Sequence, residues 1–328
     1  MIPKTIYPAI PGPSSDTLGV GFNGDYSKAV LNDSVIQCSA RSGVMGVLLG
    51  QDAPVFYDWR SVGLVTLQPC NWPMRLYDVA GRLVDVTVEG PLAIEHNYLN
   101  IGGPLLLDNW NVHKVGGQAL QAVFRKPESK IVRPDGMLVL RRFKYLDVGG
   151  QESGVGGGAS YAISVFATGQ SVILDQGHGD CTGLKPWIDN NGVTRASRGA
   201  LLVESEPPWT NGREPWYPVK QVGPQAWVAL QHTTPYLLVS GFAFHHLKPD
   251  RPLTRVGGAQ IVHFDKCAWW SDDDSARIDI DPPENTWDMK ADKVILTGCE
   301  GNVHLRYRGT DLGPISALGG GTGSWQSP

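Results

Sequence analysis

Short apolar runs recur along the middle of the chain, each broken by a polar or acidic residue and often closed by a glycine pair. PLAIEHNYLNIGG (residues 91–103) is followed at once by PLLLDNWNVHKVGG (104–117), and the form returns as MLVLRRFKYLDVGG (137–150). YLLVSGFAFHHL (236–247) and AQIVHFDKCAWW (259–270) carry it further, and VILDQGHGDCTG (172–183) and VILTGCEGNVHL (294–305) are shorter versions. No 3.6-residue period persists beyond about three turns, so the runs predict short strands separated by turns. The interval from Leu92 to Leu105 fits successive faces of one coil, and the interval from Leu92 to Leu138 is twice that from Leu237 to Gln260. Such steps predict stacked coils of about 23 residues, each pairing its strand edges with the next, as in a β-solenoid. The intervals from Leu138 to Val172 and from Gln260 to Val294 predict loops inserted between strands. Glycine pairs at 102–103, 116–117, 149–150 and 257–258 are expected at tight corners that need a positive φ.

Outside the repeats the pattern changes. Residues 1–33 hold Pro3, Pro8, Pro11 and Pro13, which forbid a helix and suit an extended arm, either a disordered leader or one draped over a neighbouring subunit. Residues 34–89 read as strands and tight turns, with apolar–polar alternation at Leu83–Val88; a small β region or cap is expected there. Residues 90–308 form the expected solenoid. Residues 151–158 (QESGVGGG) read as a flexible turn, and residues 184–222, with Trp187, Trp209, Trp216, Tyr217 and five prolines, as a long loop insertion on one face. Residues 309–328 form a Gly-rich C-terminal tail, whose Trp325 is expected to anchor in a neighbour.

IEHNYLNIGG, LLLDNWNVHKVGG and YLLVSGFAFHHL resemble coils of the right-handed parallel β-helix superfamily, which includes pectate lyase-like enzymes and bacteriophage tailspikes. The resemblance covers roughly residues 76–308 and is one of pattern. It implies an all-β fold, a right-handed parallel β-helix with the N-terminal arm and small β cap. The Asp- and Ala-rich helical entry segment of many tailspikes is missing from this sequence, and no catalytic residue is carried over.

Composition narrows the classes. The chain has 328 residues, of which 18% are charged, with 40 glycines and 24 prolines, which suits an all-β chain better than a helical bundle. A net charge of -4 with no long basic block gives no footprint for nucleic acid. No apolar run approaches the length of a membrane-spanning helix. The N-terminal MIPKTIYPAIPGPSS lacks the apolar stretch of a secretory signal, so work outside a cell would require release by lysis or carriage on a virion. Five widely spaced cysteines without a CxxC predict buried thiols rather than a disulfide framework or zinc site.

Three constellations are candidates for chemistry. The first is the acidic stretch Asp272, Asp273, Asp274, Asp279, Asp281, Glu284, Asp288 and Asp292, which lacks the calcium-loop spacing and is expected to be a solvated loop; no metal or cofactor is expected. The second is a carboxylate pair with sugar-stacking aromatics. Asp265, Asp272, Glu204 and Glu206 are the acid–base candidates if the chain is an enzyme, and Trp187, Trp209, Trp216, Trp269 and Trp270 are the carbohydrate or interface aromatics. The third is the histidine set: His245 and His246 would point to opposite faces of a strand, with His232 and His263 on adjacent coils.

The expected function is that of a structural bacteriophage virion component, a tail or spike subunit or a capsid decoration protein. Its partners would be other virion proteins and copies of itself (a trimer, by analogy), with contact to a surface polysaccharide and none to nucleic acid or membrane. The alternatives are a polysaccharide lyase or glycoside hydrolase of the same superfamily, and a non-catalytic carbohydrate-binding adhesin.

Overall fold

The computed structural model describes residues 83–88, 99, 101, 104–123, 137–149, 161–166, 170–204, 234, 236–283, 290–318 and 323–327 in full, and further strands by their backbone. The chain is almost entirely β. Most of its strands fall into three long ladders, here faces 1, 2 and 3, visited in that order by each circuit of the chain, with two short antiparallel hairpins outside them. One register position on face 1 runs Gly21, Leu48, Arg75, Tyr98, Gln121, Ser164, Leu202, Arg255, Asp279 and Arg306. One on face 2 runs Arg60, Arg82, Leu106, Val139, Ile173, Leu238, His263 and Ile295. One on face 3 runs Thr87, Asn111, Lys144, His178, Ala243, Ala268 and Glu300. Every one of these pairings is parallel.

The registers revise the expected spacing. Leu237 pairs with Val262 and not with Gln260, and Leu105 pairs with Leu138 across a longer circuit than the repeat predicts. The two halves of 91–117 also differ in place: Tyr98 lies on face 1, whereas Leu105 lies on face 2 and Val112 on face 3. The repeat that is visible in the sequence is therefore a face-2 strand, one corner residue and a face-3 strand.

That corner has one conformation throughout. Asp85, Asn109, Arg142, Gln176, Gly241, Lys266 and Gly298 occupy it in seven successive circuits, with φ between 51° (Lys266) and 60° (Gly298). A left-handed residue swings the chain from one face to the next without losing the ladder: the Arg142 and Lys266 amides still donate to the carbonyls of Asp175 (2.8 Å) and Thr297 (2.7 Å) in the following circuit. Among the expected glycine corners only Gly149 and Gly258 have positive φ in the described residues, because Asp, Asn and longer side chains fill most of these positions. The Leu83–Val88 run lies within the single strand Trp72–Glu89 as expected, but its in–out alternation changes phase at Asp85.

Among the described residues one continuous core, beginning at Leu83, lies inside the three faces. Successive circuits stack Leu105, Leu138, Val172, Leu237, Val262 and Val294 at one inward position, all buried. On face 3 large and absent side chains complement each other. Gly177 leaves room for the Phe242 ring and Gly179 for Tyr145, and a Cβ at either glycine would overlap that ring. Phe242 stacks on Phe244 at 4.6 Å, and Phe244 on Trp269 at 6.0 Å.

The expected segment boundaries can be placed against these ladders. Thr17–Phe22 and Lys28–Asn32, inside the expected arm, pair in parallel with Val44–Leu49 and Tyr57–Val62. Trp72–Glu89 pairs with Tyr98–His113 across the boundary expected at residue 90. The expected insertion at 184–222 contains Gly199–Glu204, a face-1 ladder strand. The tail at 309–328 covers the last circuit: Thr310–Pro314 pairs antiparallel with His304–Tyr307, and Ser324–Gln326 pairs antiparallel with Lys293–Thr297. The short helix Ile315–Gly319 sits between them with Ile315 buried, and Trp325 packs against the chain's own core rather than waiting for a neighbour. No helix among the described residues is long and apolar enough to cross a membrane.

Candidate functional site

The nominated carboxylates end up on different parts of the molecule. Glu204 closes a face-1 strand and accepts a hydrogen bond from Arg255 Nε at 3.0 Å. Asp265 closes a face-2 strand and accepts one from Ser240 Oγ at 3.2 Å. Asp272 lies past face 3, in the turn back to face 1, and accepts the Lys248 amide at 2.6 Å. Each is used by a local turn or ladder contact, and the three do not line one groove. Glu206, Trp209 and Trp216 lie outside the described residues, as do His232, Glu284 and Asp288.

The tryptophans separate by burial. Trp269 points inward, is fully buried, and donates its indole N–H to Thr254 Oγ1 at 2.9 Å. It is a core residue, which corrects its expected role as a surface platform: strand alternation turns Trp269 in and Trp270 out. Trp270 is 44% exposed on face 3. Trp187 lies half-buried on a hairpin formed by Trp187–Ile188 and Thr194–Arg195, with the Arg198 guanidinium 5.1 Å from its ring centre.

That hairpin meets the acidic stretch. Arg195 reaches Asp189 on its own hairpin (3.1 Å), the Pro249 carbonyl (3.0 Å) and Asp273 Oδ2 (3.6 Å). Arg198 pairs with Asp250 at 2.5 Å, and Arg251 shares the same carboxylate. The rest of the acidic stretch disperses into separate duties. Asp273 caps a turn through the Ser275 amide (2.8 Å) and hydroxyl (2.6 Å). Asp279 is 1% exposed, held by Arg306 at 2.6 and 2.8 Å and by Arg277 at 3.1 Å. Asp281 accepts the Ala291 amide at 2.5 Å, and its burial pushes its pKa up. The stretch is thus not simply a solvated loop, and among the described residues no three His, Cys, Asp or Glu side chains are arranged to hold a metal ion.

The arrangement best suited to contact a ligand is the outer surface of face 3. One row, in register, is His113, Leu146, Asp180, His245 and Trp270. Two residues earlier runs a second row, with Lys144, His178 and Glu300 exposed to solvent. Partial burial would raise the pKa of Asp180, but hydrogen bonds from Thr182 and the nearby His245 and His178 bring it below the usual carboxylate range. Of these residues only His245 and Trp270 were singled out from sequence. The rest are neighbours through register alone, and between the paired positions His178 and Ala243 the chain completes a whole circuit with its long insertion.

The second histidine of the pair is interior. His246 is buried, its Nδ1 is 3.0 Å from the Arg198 carbonyl and its Nε2 is 2.8 Å from the Tyr145 hydroxyl. A carbonyl only accepts, so Nδ1 carries the proton and Nε2 accepts from Tyr145. His263 lies on face 2 with Nδ1 3.1 Å from the Tyr236 hydroxyl. Cys181, Cys267 and Cys299 are buried thiols facing main-chain carbonyls.

Comparison with known proteins returns no matching family model, no matching curated protein and no matching solved structure.

Proposed function

We propose that the chain is a right-handed parallel β-helix whose function is structural, as a bacteriophage tail or spike subunit or capsid decoration protein that acts through assembly. The observation that carries this reading is the stack itself: parallel ladders from Thr17 to Tyr307, with one apolar core among the described residues from Leu83 to Ile315. Such a stack is stiff along its axis, since every circuit is hydrogen-bonded to the next. A depolymerase is the weaker reading, because Glu204, Asp265 and Asp272 close three different segments instead of facing one another across a groove.

The test is the mass of the full-length protein in solution by light scattering, followed by mass spectrometry of purified virions from a lysate that produces it. A stable oligomer, and the chain at a fixed copy number per particle, is the expected result. A monomer absent from particles would overturn the reading.

Exposed Trp270, in one row with His245 and Asp180, favours a second role as a glycan-contacting face without catalysis. Binding to host surface polysaccharide that Trp270→Ala weakens, with no change in polysaccharide length, is the outcome expected of that role.

A further inference from the structure

We infer that Cys267 and Cys299 form a modification site: two thiols stacked in successive circuits, which close to a disulfide by exchange with a small-molecule disulfide and so lock the last two circuits together. The site belongs to the stack itself and stands whether or not the chain assembles with others.

Register brings the two residues together. Asp265 pairs with Thr297 before the corner between faces 2 and 3, and Ala268 pairs with Glu300 after it, at the same offset. The corner residues Lys266 and Gly298 therefore match, and so do Cys267 and Cys299 just beyond them. Both cysteines face inward and are fully buried. They end an inward column that runs Trp110, Phe143, Gly177, Phe242, Cys267 and Cys299. Earlier circuits fill this column with rings, Trp110 stacking on Phe143 at 6.1 Å, and the last two fill it with thiols.

The separation suits the bond. Ladder neighbours sit about 4.8 Å apart, inside the range of about 4.4–6.8 Å between the Cα atoms of disulfide-bonded cysteines. Cys299 Sγ lies 3.3 Å from the carbonyl of Phe264, which belongs to the circuit of Cys267. Cys267 Sγ lies 3.0 Å from the Val239 carbonyl, one circuit further back. The Cys299 sulfur is thus directed at the circuit that holds its partner, and the two thiols are within hydrogen-bond reach of each other. Cys181 faces the Val148 carbonyl instead and aligns with His246, away from the pair.

The contact also assigns the roles. A hydrogen bond from Cys267 holds the Cys299 pKa below the ordinary thiol value against its burial, whereas burial, and then the same contact, push Cys267 up. Cys299 is accordingly the attacking sulfur. Its thiolate bonds to one sulfur of a disulfide such as oxidised glutathione, whose S–S bond breaks and releases one thiolate. Cys267 then gives up its proton and attacks Cys299 Sγ, releasing the second. Two thiols and one small disulfide become one internal disulfide and two small thiols, so the exchange needs no further oxidant. Access is from the C-terminal end, where the described residues beyond Cys299 are those of the last strands and the tail. Gly298 donates its amide there to the Gly323 carbonyl at 3.1 Å, and Ser324–Gln326 pairs with Lys293–Thr297. A reducing cytosol keeps such thiols free, so the lock closes on release into an oxidising medium.

The experiment uses the full chain. Reduced protein is incubated with oxidised glutathione, a non-reducing digest is mapped by mass spectrometry, and thermal melting is followed in parallel. The expected result is a Cys267–Cys299 linkage without retained glutathione and a melting temperature at least about 3 °C above that of the reduced protein, both reversed by a thiol reductant. Cys267→Ala removes the second thiol of the exchange, so it should retain glutathione on Cys299 and melt no higher after oxidation. The linkage map of the native protein decides the matter even if that variant does not fold. Thiols that stay free at every temperature up to the onset of melting, or linkages that leave this pair out, overturn the assignment. A linked pair that melts no higher than the reduced protein overturns the lock.

Discussion

Burial holds the His246 imidazole neutral, with its pKa depressed to about 4 from an ordinary value of about 6.5. Between those values the unfolded chain binds a proton that the folded chain refuses, so stability rises with pH across this window. It should be complete above about pH 6.5 and fall as the pH drops towards 4, by up to about 3 kcal/mol. Urea unfolding at intervals from pH 7.5 to 4.5 measures it. His246→Gln, which does not titrate, should be less stable at pH 7.5 and should flatten the slope; an unchanged slope would remove His246 as its source. Another residue-scale test concerns space rather than charge. Gly177 has no room for a Cβ beside Phe242, so Gly177→Ala should cost about 1–3 kcal/mol through overpacking, read as a lower urea midpoint. Asp108 shows how a corner secures its charge. Burial alone would raise its pKa, but hydrogen bonds from Arg142 (2.7 and 2.8 Å) and Arg141 (2.5 Å) bring it down to about 2.

At the scale of elements the C-terminal tail is the clearest case of function within the fold, because it occupies strand edges that would otherwise template pairing with other chains. A chain ending at Arg308 loses Thr310–Pro314, the helix and Ser324–Gln326 together. It should melt at a lower temperature and form thioflavin-positive aggregates at concentrations where the full chain scatters as a discrete species. Equal stability and solubility would show that the tail is dispensable. Glycine content and Trp325 pointed outward to a neighbour, since antiparallel pairing of Ser324–Gln326 with the distant Lys293–Thr297 leaves no local mark in the sequence. Other elements were legible. Face 2 and face 3 follow each other with one corner residue between them, so LLLDNWNV, LVLRRFKYL and LLVSGFAF repeat visibly. The corner itself was not legible as glycine, for Asn109, Arg142, Gln176 and Lys266 take the left-handed conformation there. Face 1 has no such repeat, and the insertions before and after it hide the register. That is why the sequence allows Glu204 and Asp265 on one side, and why the line from His113 to Trp270 leaves no trace in it.

Over the whole molecule the decisive feature is that pairing continues where a boundary was expected. Leu76 pairs with Leu99, Leu83 with Leu107 and Val88 with Val112, so the segment ending at Glu89 contributes a full circuit to the same three faces. Leu83, Val86 and Val88 are buried in the same core as Leu107 and Val112. In a stack of this kind stability is close to a sum over circuits and the contacts between neighbours, and an interior circuit exposed at a new end loses half of those contacts. A fragment of residues 90–328 would begin with an uncovered edge of Tyr98–His113 and an open core above Leu99 and Leu107. If residues 34–89 were an independent cap, that fragment should be soluble and should keep the melting temperature of the full chain. The continuous ladders lead to the opposite expectation: the fragment should aggregate or melt well below the full chain, and hydrogen exchange in the full chain should show no step in protection between the strands on either side of residue 90. A soluble fragment with unchanged melting would restore the boundary and make 34–89 an appended unit; loss of both properties would make the circuits on either side of residue 90 parts of a single cooperative stack.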